Sequence, residues 1–295
     1  MTATLDMPIT SEQITQLTAD LYEWSLKKVP DDTKALLAAA QPRESHPTGR
    51  KTLAIMIKSA ETAEGTGNLV CTDVGIPTYS VKIGTRVQFD GPVRQAIVDG
   101  FARMAARSDP PILKMVTNPL THERSYAGKD MPIVTFDVLD DADYVDITCA
   151  PKAMGTGRWE AVETFVYPTH QEIEEYVLDC VLKAGSQPCP PIVVGVGIGG
   201  TFDHAARIAK DAVLRPFGQV NPEPVLAQME QRLLKAINAM GFGPMGTGGD
   251  TTAMGVHINY SASHGFVPVA VSLNCWINRR TRARLHADGR VERIE

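Results

Sequence analysis

No run in this 295-residue chain approaches the roughly 18 consecutive apolar residues that a membrane-spanning helix needs, so no such helix is expected. The opening stretch, MTATLDMPITSEQ, has neither a basic start nor an apolar run, which argues against a secretory leader and for the cytoplasm. Positive charge is not in excess: the net charge is −5, which excludes a general nucleic-acid binder. There is no C-x-x-C and no Cys/His pair at zinc-finger spacing, so a structural zinc site is not expected. Internal repeats, low-complexity tracts and linkers are also missing, which favours a single domain over residues 1–295. The five cysteines (Cys71, Cys149, Cys180, Cys189 and Cys275) are scattered and odd in number. They are expected as thiols or ligands rather than as a disulfide framework.

What is present is an ordinary globular composition, 43% hydrophobic and 21% charged, long enough to bury a core. Residues 11–27 carry Ile14, Leu17, Leu21 and Trp24 at helical spacing, and Thr10 with Gln13 can form a capping box. Further helices are expected over about 49–63, 92–107, 169–184, 201–215 and 222–240. Short apolar runs predict strands in GNLVCTDVGIPTYSVKIG, MGVHINY and PVAVSLNC. PIVTFDVL and YVDITCA, joined by Asp140–Asp143, predict a hairpin. Strand pairs mixed with helices point to an α+β fold, a mixed or antiparallel sheet flanked by helices. The basic tail 279–295, with Arg279, Arg280, Arg282 and Arg284, reads as a solvated or interface segment. Contact with a substrate carboxylate is its functional alternative.

Gly195, Gly197 and Gly200 match G-x-G-x-x-G, but a dinucleotide site needs a second strand and an acidic residue about 20 positions on. Here helix follows helix. Two readings remain for these glycines: an anion at the helix N-terminus near Thr201, or close strand–helix packing. The loops VCTDVGIP, CAPKAMGTGRWE and GFGPMGTGGDTTAMG suggest an anionic ligand held by backbone amides. Cys180 falls on an apolar helical stripe and reads as core, and His257 reads as structural. His264, beside a glycine at a strand junction, is open to acid–base work. Cys71, Cys189 and Cys275 stand on loops next to glycine or proline. A Cys189 nucleophile with a His264 base fits this raw pattern as well as a metal site does.

Four motifs occur in order: GNLVCTDVG, QPCPPIVVGVGIGGTFDHAARIAKDAVLRP, GFGPMGTGGDTTAMGVHI and HGFVPVAVSLNCWINRR. Together they resemble the alpha subunit, or N-terminal catalytic region, of class I iron–sulfur fumarate hydratases and L(+)-tartrate dehydratases, over about residues 10–285. The resemblance implies a fumarase class I N-terminal-type domain and a [4Fe–4S] cluster held by Cys71, Cys189 and Cys275. Three protein ligands leave one iron open, where it can act as a Lewis acid in the reversible hydration and dehydration of a 2-hydroxy dicarboxylate. The resemblance sets Asp73 facing the substrate and His264 beside the leaving hydroxyl. It gives Thr72, Lys114, Lys152, Gly155 and Gly157 to substrate binding, and it implies a separate beta subunit in an α2β2 assembly.

This sequence departs from the family pattern at the substrate loops. Thr72 replaces a glutamine, Ala153 and Met154 replace two glycines, and Lys114 stands where relatives carry an arginine, which removes a bidentate fork. These changes spare the cysteines and leave the choice among fumarate/malate, tartrate and related diacids open. The alternatives are a cluster-bearing redox or sensor subunit without dehydratase activity, and a cysteine-nucleophile or NAD-dependent enzyme.

Overall fold

A computed structural model describes residues 8–294. The first part of the chain forms α1 (Ser11–Lys27), α2 (Asp31–Ala40), α3 (Pro47–Thr66), β1 (Thr78–Gly84), α4 (Val93–Arg107), β2 (Val116–Thr117), β3 (Arg124–Ser125), β4 (Ile133–Leu139) and β5 (Tyr144–Cys149). There follow α5 (Met154–Gly157), β6 (Ala161–Val166), α6 (His170–Ala184), β7 (Ile192–Ile198), α7 (Phe202–Val213), α8 (Pro224–Ala239), β8 (Ala253–Tyr260), β9 (Phe266–Asn274), β10 (Thr281–His286) and β11 (Val291–Ile294). The class is α+β, as expected. Contacts divide the chain into two compact units. The first holds the stretch through Val29, Thr62–Lys152 and the stretch from Arg279 on; the second holds Pro30–Glu61 and Ala153–Asn278. The chain passes between them after Val29, Glu61, Lys152 and Asn278, so no one linker exists for composition to reveal.

The first unit is a five-stranded mixed sheet in the order β11-β10-β5-β1-β4. Ile14, Leu17 and Leu21 of α1, with Ile97, Phe101 and Met104 of α4, bury against Tyr79, Val81, Val145 and Ile147 of the sheet. The expected capping box is present: Gln13 N donates to Thr10 Oγ1 at 3.2 Å, and Thr10 N donates to Gln13 Oε1 at 2.8 Å. Removing this cap with Thr10→Ala should cost about 1 kcal/mol, read as a lower urea midpoint at an unchanged slope.

The expected hairpin of 133–139 with 144–149 does not form. β1 lies between them, parallel to β4 and antiparallel to β5. The connection passes over the end of β1 and is tied to it by Thr85 N to Leu139 O (3.0 Å), Arg86 N to Ala142 O (3.1 Å) and Asp141 N to Thr85 Oγ1 (3.0 Å). The segment expected as a basic tail is also sheet, with β10 paired to β5 and β11 to β10. Its basic side chains have partners inside the fold. Arg282 grips the buried carboxylate of Asp146 through two 2.7 Å bonds, and Arg284 lies over Tyr144. Glu295 and residues 1–7, where most of the leader reading falls, lie outside the described residues.

The second unit centres on the four-stranded sheet β6-β9-β7-β8, with β7 parallel to β8 and antiparallel to β9. Strand β7, IVVGVGI, is buried on both faces, and its period of two explains its composition. Ile192, Val194 and Val196 pack with Ile173 and Val177 of α6 and Leu233 and Ile237 of α8. Gly195 and Gly197 face α7. A Cβ on Gly195 would run into Ala209 O and Val213, and one on Gly197 into Ala205 O and Ala209 N. Ala205, Ala209 and Ala212, spaced four and three residues apart, form the buried stripe that α7 turns to these glycines. Of the two readings left open for the G-x-G match, strand–helix packing accounts for these two residues. Cys180 is buried among core side chains of the second unit, as expected.

Candidate functional site

Two groups of sequence-selected residues are assembled, one in each unit. In the first unit the loop of Cys71, Thr72 and Asp73 is fixed from several sides. Asp73 Oδ1 accepts from Gly75 N at 3.0 Å, which turns the carboxylate back along its own loop. Ile76 and Lys152 exchange backbone bonds of 2.8 and 2.9 Å, so the Lys152 segment lies beside this loop. Gly75 has a φ of +74°, and a Cβ there would sit 2.8 Å from the Lys152 carbonyl carbon, so glycine serves both conformation and contact. Buried Tyr22 donates from its hydroxyl to Val74 O (3.0 Å) and Gly75 O (3.1 Å), and burial pushes its pKa far up, holding it as a neutral donor. Arg279, buried at 4% exposure, reaches Cys71 O at 3.5 Å, while its Nε has no partner. Arg279 was noted in sequence only as one of a basic cluster. Lys114 is exposed on the loop ahead of β2, its Nζ 5.9 Å from the centre of the Tyr126 ring.

In the second unit four loops meet where β7 and β8 begin and β9 ends. Cys189 lies just before β7 and Cys275 just after β9. Trp276 N donates to Cys189 O at 3.2 Å, joining motifs 86 residues apart (275 − 189). The Cys275 turn is closed by Asn278 N to Cys275 O at 2.9 Å, and the Asn278 side chain accepts from Asn274 at 3.0 Å. Cys189 has a φ of +56°, a conformation costing a non-glycine residue about 1–2 kcal/mol that persists only where surroundings impose it. Met245 N donates to Pro190 O at 2.7 Å, which ties in the glycine-rich loop, and Gly155 of α5 stands against Gln187 O. The amides of Thr156, Gly157 and Arg158 are spent on the single turn of α5, so the Gly157 amide is engaged within the chain.

The glycine-rich loop 241–255 does hold an anion, but one belonging to the chain. Glu44, 1% exposed, accepts from Asp250 N (2.8 Å), Thr251 N (3.0 Å), Thr251 Oγ1 (2.8 Å) and His46 N (3.2 Å). This corrects the expectation that the loop's amides await a ligand at that point. No sequence signal singled out Glu44, which sits in an unremarkable turn, RESHP.

His264 is not brought to the cysteine pair. It is exposed in the turn from β8 to β9, its ring stacked at 5.9 Å on Phe266. That turn lies beside the C-terminal end of β7, where Gly200 N donates to Ala262 O at 3.2 Å. Cys189 precedes the other end of the strand, roughly 20 Å away at about 3.3 Å per residue. A Cys189–His264 nucleophilic pair is therefore not formed in this chain.

The five thiols fall into two chemical classes. Burial pushes the Cys149 thiol far up, and raises that of Cys180, so both are held protonated and inert. Cys71, Cys189 and Cys275 are partly exposed on loops. Soft, partly exposed thiols on loops are the donor type that iron–sulfur ligation uses. The second unit brings two of them together and the first carries the third, although no group of three or more His, Cys, Asp or Glu side chains stands at metal-holding spacing among the described residues.

Comparison with known proteins supplies the class. Residues 15–284 match the family described as Fumarate hydratase (Fumerase), and the chain belongs to that family of hydro-lyases. It is 32% identical over 287 residues to the "Putative L(+)-tartrate dehydratase subunit alpha" of Methanocaldococcus jannaschii, covering 95% of this chain and all of that protein. It is 28% identical over 289 residues to the L(+)-tartrate dehydratase subunit alpha of Escherichia coli (strain K12), covering 96% of this chain and 94% of that one. No helix among the described residues is long and apolar enough to cross a membrane.

Proposed function

We propose that the chain is the cluster-bearing alpha subunit of an iron–sulfur hydro-lyase that adds water to, or removes it from, a 2-hydroxy dicarboxylate of the malate or tartrate class. The observation that carries this reading is the bond between Trp276 N and Cys189 O, which sets two remote cysteine loops side by side. Cys71, Cys189 and Cys275 would hold a [4Fe–4S] cluster. When bound, the cluster supplies a Lewis-acid iron that weakens the carbon–oxygen bond of a poor leaving group.

The chain's own residues bind and orient. The Asp73 carboxylate, turned by Gly75 N, is held beside Cys71 to accept a hydrogen bond from a substrate hydroxyl. Thr72 Oγ1, Lys152 Nζ, Lys114 Nζ and the Gly155 amide would meet substrate carboxylates. Lysine presents a point charge, which accommodates a diacid with less directional demand than a guanidinium fork. His264 is assigned no proton transfer at the cysteine pair of its own chain. The remaining basic groups would come from a separate beta subunit in an α2β2 assembly, in keeping with the relatives' names as alpha subunits.

Anaerobic co-expression with the partner subunit tests the reading. About four irons per chain, the content of one such cluster, are expected, with water elimination from malate or tartrate. A metal-free protein with full activity would overturn it. A loaded protein inert towards a panel of hydroxy diacids would favour the sensor alternative, which the altered Thr72, Lys114 and Ala153–Met154 positions motivate.

A further inference from the structure

Glu44 is the most heavily hydrogen-bonded buried carboxylate of the second unit, and the resemblance gave it no task. Its four donors all come from two turns: the 249–251 end of the glycine-rich loop and the turn at His46. A Cβ on Gly249 would run into Glu44 Oε1, so the backbone closes directly on the carboxylate. The same turns meet a second time, because a Cβ on Gly49 would come 2.8 Å from Gly248 O. Asp250 returns the contact by accepting from Ser45 N at 2.9 Å, and the Ser45 hydroxyl first and this amide second pull its carboxyl below the ordinary range. Arg50 closes the turn from below, donating twice to Glu44 O at 2.7 and 3.0 Å.

The loop anchored at this end reaches Cys189 at the other. Four residues before Gly249, Met245 N donates to Pro190 O at 2.7 Å, and a Cβ on Gly246 would run into the Ser186 side chain. The Cys189 turn so braced then presents its carbonyl to Trp276 N, beside Cys275. Glycine-rich backbone has little stiffness of its own, and positive φ at Gly243, Gly246, Gly248 and Gly249 leaves it many alternatives. A buried anion that satisfies two amides and a hydroxyl at once selects one of them.

We infer that Glu44 is a positioning residue for the metal site: an internal carboxylate that locks the glycine-rich loop, and through Met245 and Pro190 fixes the Cys189 thiol beside Cys275. This rests on the reading of Cys189 as a cluster ligand. Glu44 touches neither thiol and acts only through the loop. It also accounts for a loop that looks like an anion receptor yet spends donors on a carboxylate of its own chain.

The test compares the full-length chain with Glu44→Ala and with Glu44→Gln, which keeps the volume and one acceptor oxygen. Hydrogen exchange is followed by mass spectrometry on cluster-free protein, and iron release to a chelator on reconstituted protein. In Glu44→Ala, peptides holding Asp250–Thr251, Met245 and Trp276 should exchange about tenfold faster or more, as buried donors lose their acceptor. The core of β7 and β9 should keep its protection. Iron release should accelerate by a similar factor, with Glu44→Gln intermediate in both readouts. Faster exchange confined to Asp250–Thr251, with Met245, Trp276 and iron release unchanged, would overturn the inference. So would loss of protection throughout β7–β9 in both variants, which marks a general structural role. If the unsubstituted chain takes up no iron, the cluster reading fails by itself, and the exchange at Met245 and Trp276 still decides whether Glu44 sets the Cys189 loop.

Discussion

Replacing Cys189 with serine is expected to leave the co-expressed protein nearly free of iron and to lower water elimination by at least about 10³-fold. The size follows from a Lewis-acid contribution of several kcal/mol at about 1.36 kcal/mol per factor of ten. A serine hydroxyl is nearly the same size but a hard, weakly acidic donor, so iron loses a soft thiolate while the loop keeps its shape. Backbone conformation does not confound the comparison, because serine and cysteine pay similarly for a φ near +56°. Cys180→Ala is the matched control. That thiol is buried in the core and raised by burial, so its loss should lower stability by a modest cavity cost and leave iron content alone. Iron and sulfide assays with the visible absorption of the cluster read the first result; thermal unfolding reads the second. Equal iron in the Cys189→Ser protein would remove Cys189 from the ligand set.

The largest stability effect is expected at Gly197. Valine there would place a Cβ against Ala205 O and Ala209 N, both backbone atoms that cannot rotate away. Either α7 lifts from β7, exposing the alanine stripe, or the strand bends and strains its pairing with β8 and β9. Overpacking of this kind costs about 1–3 kcal/mol where side chains can yield, and at least about 3 kcal/mol is expected against backbone. At roughly 2–4 °C per kcal/mol the midpoint should fall by about 6–12 °C, or the chain should fail to accumulate. Gly65→Ala in α3 supplies the opposite sign, since no atom lies within 4 Å of its Cβ position. A helical alanine there should be neutral or stabilising by about 0.5 kcal/mol. If the two substitutions behave alike, close approach of α7 is not what requires glycine in β7.

Elements with a strong local signature were legible in the sequence. The helices α1, α4, α6, α7 and α8 follow from apolar spacing, and the box at Thr10 from residue type alone. What was misread depended on partners distant in sequence. The stretches 133–139 and 144–149 look like a hairpin because they are adjacent and joined by aspartates, yet β1 separates them. TRARLH reads as a solvated tail until Asp146 is placed opposite its arginines. The edge strand β6 and the alanine-rich α2 carry weak patterns and were not anticipated. At the site, motif resemblance singled out the cysteines, and the structure adds what joins two of them. Glu44 was invisible because a carboxylate in a turn carries no mark of burial, and the pairing of Cys189 with His264 that the raw pattern allowed is denied by the length of strand β7.

The pairing of β10 with β5 has a consequence for how the protein is made. Thr281 lies opposite Cys149, 132 residues later in the chain (281 − 149). During synthesis β5 therefore keeps an open edge on that side until residues 281–286 have emerged, a state prone to pairing with other chains. Arg279, which reaches the Cys71 carbonyl, arrives in the same final stretch. The Cys71 loop thus gains this buried contact only after Arg279 has been made, so the loop and the strand that closes the sheet mature together.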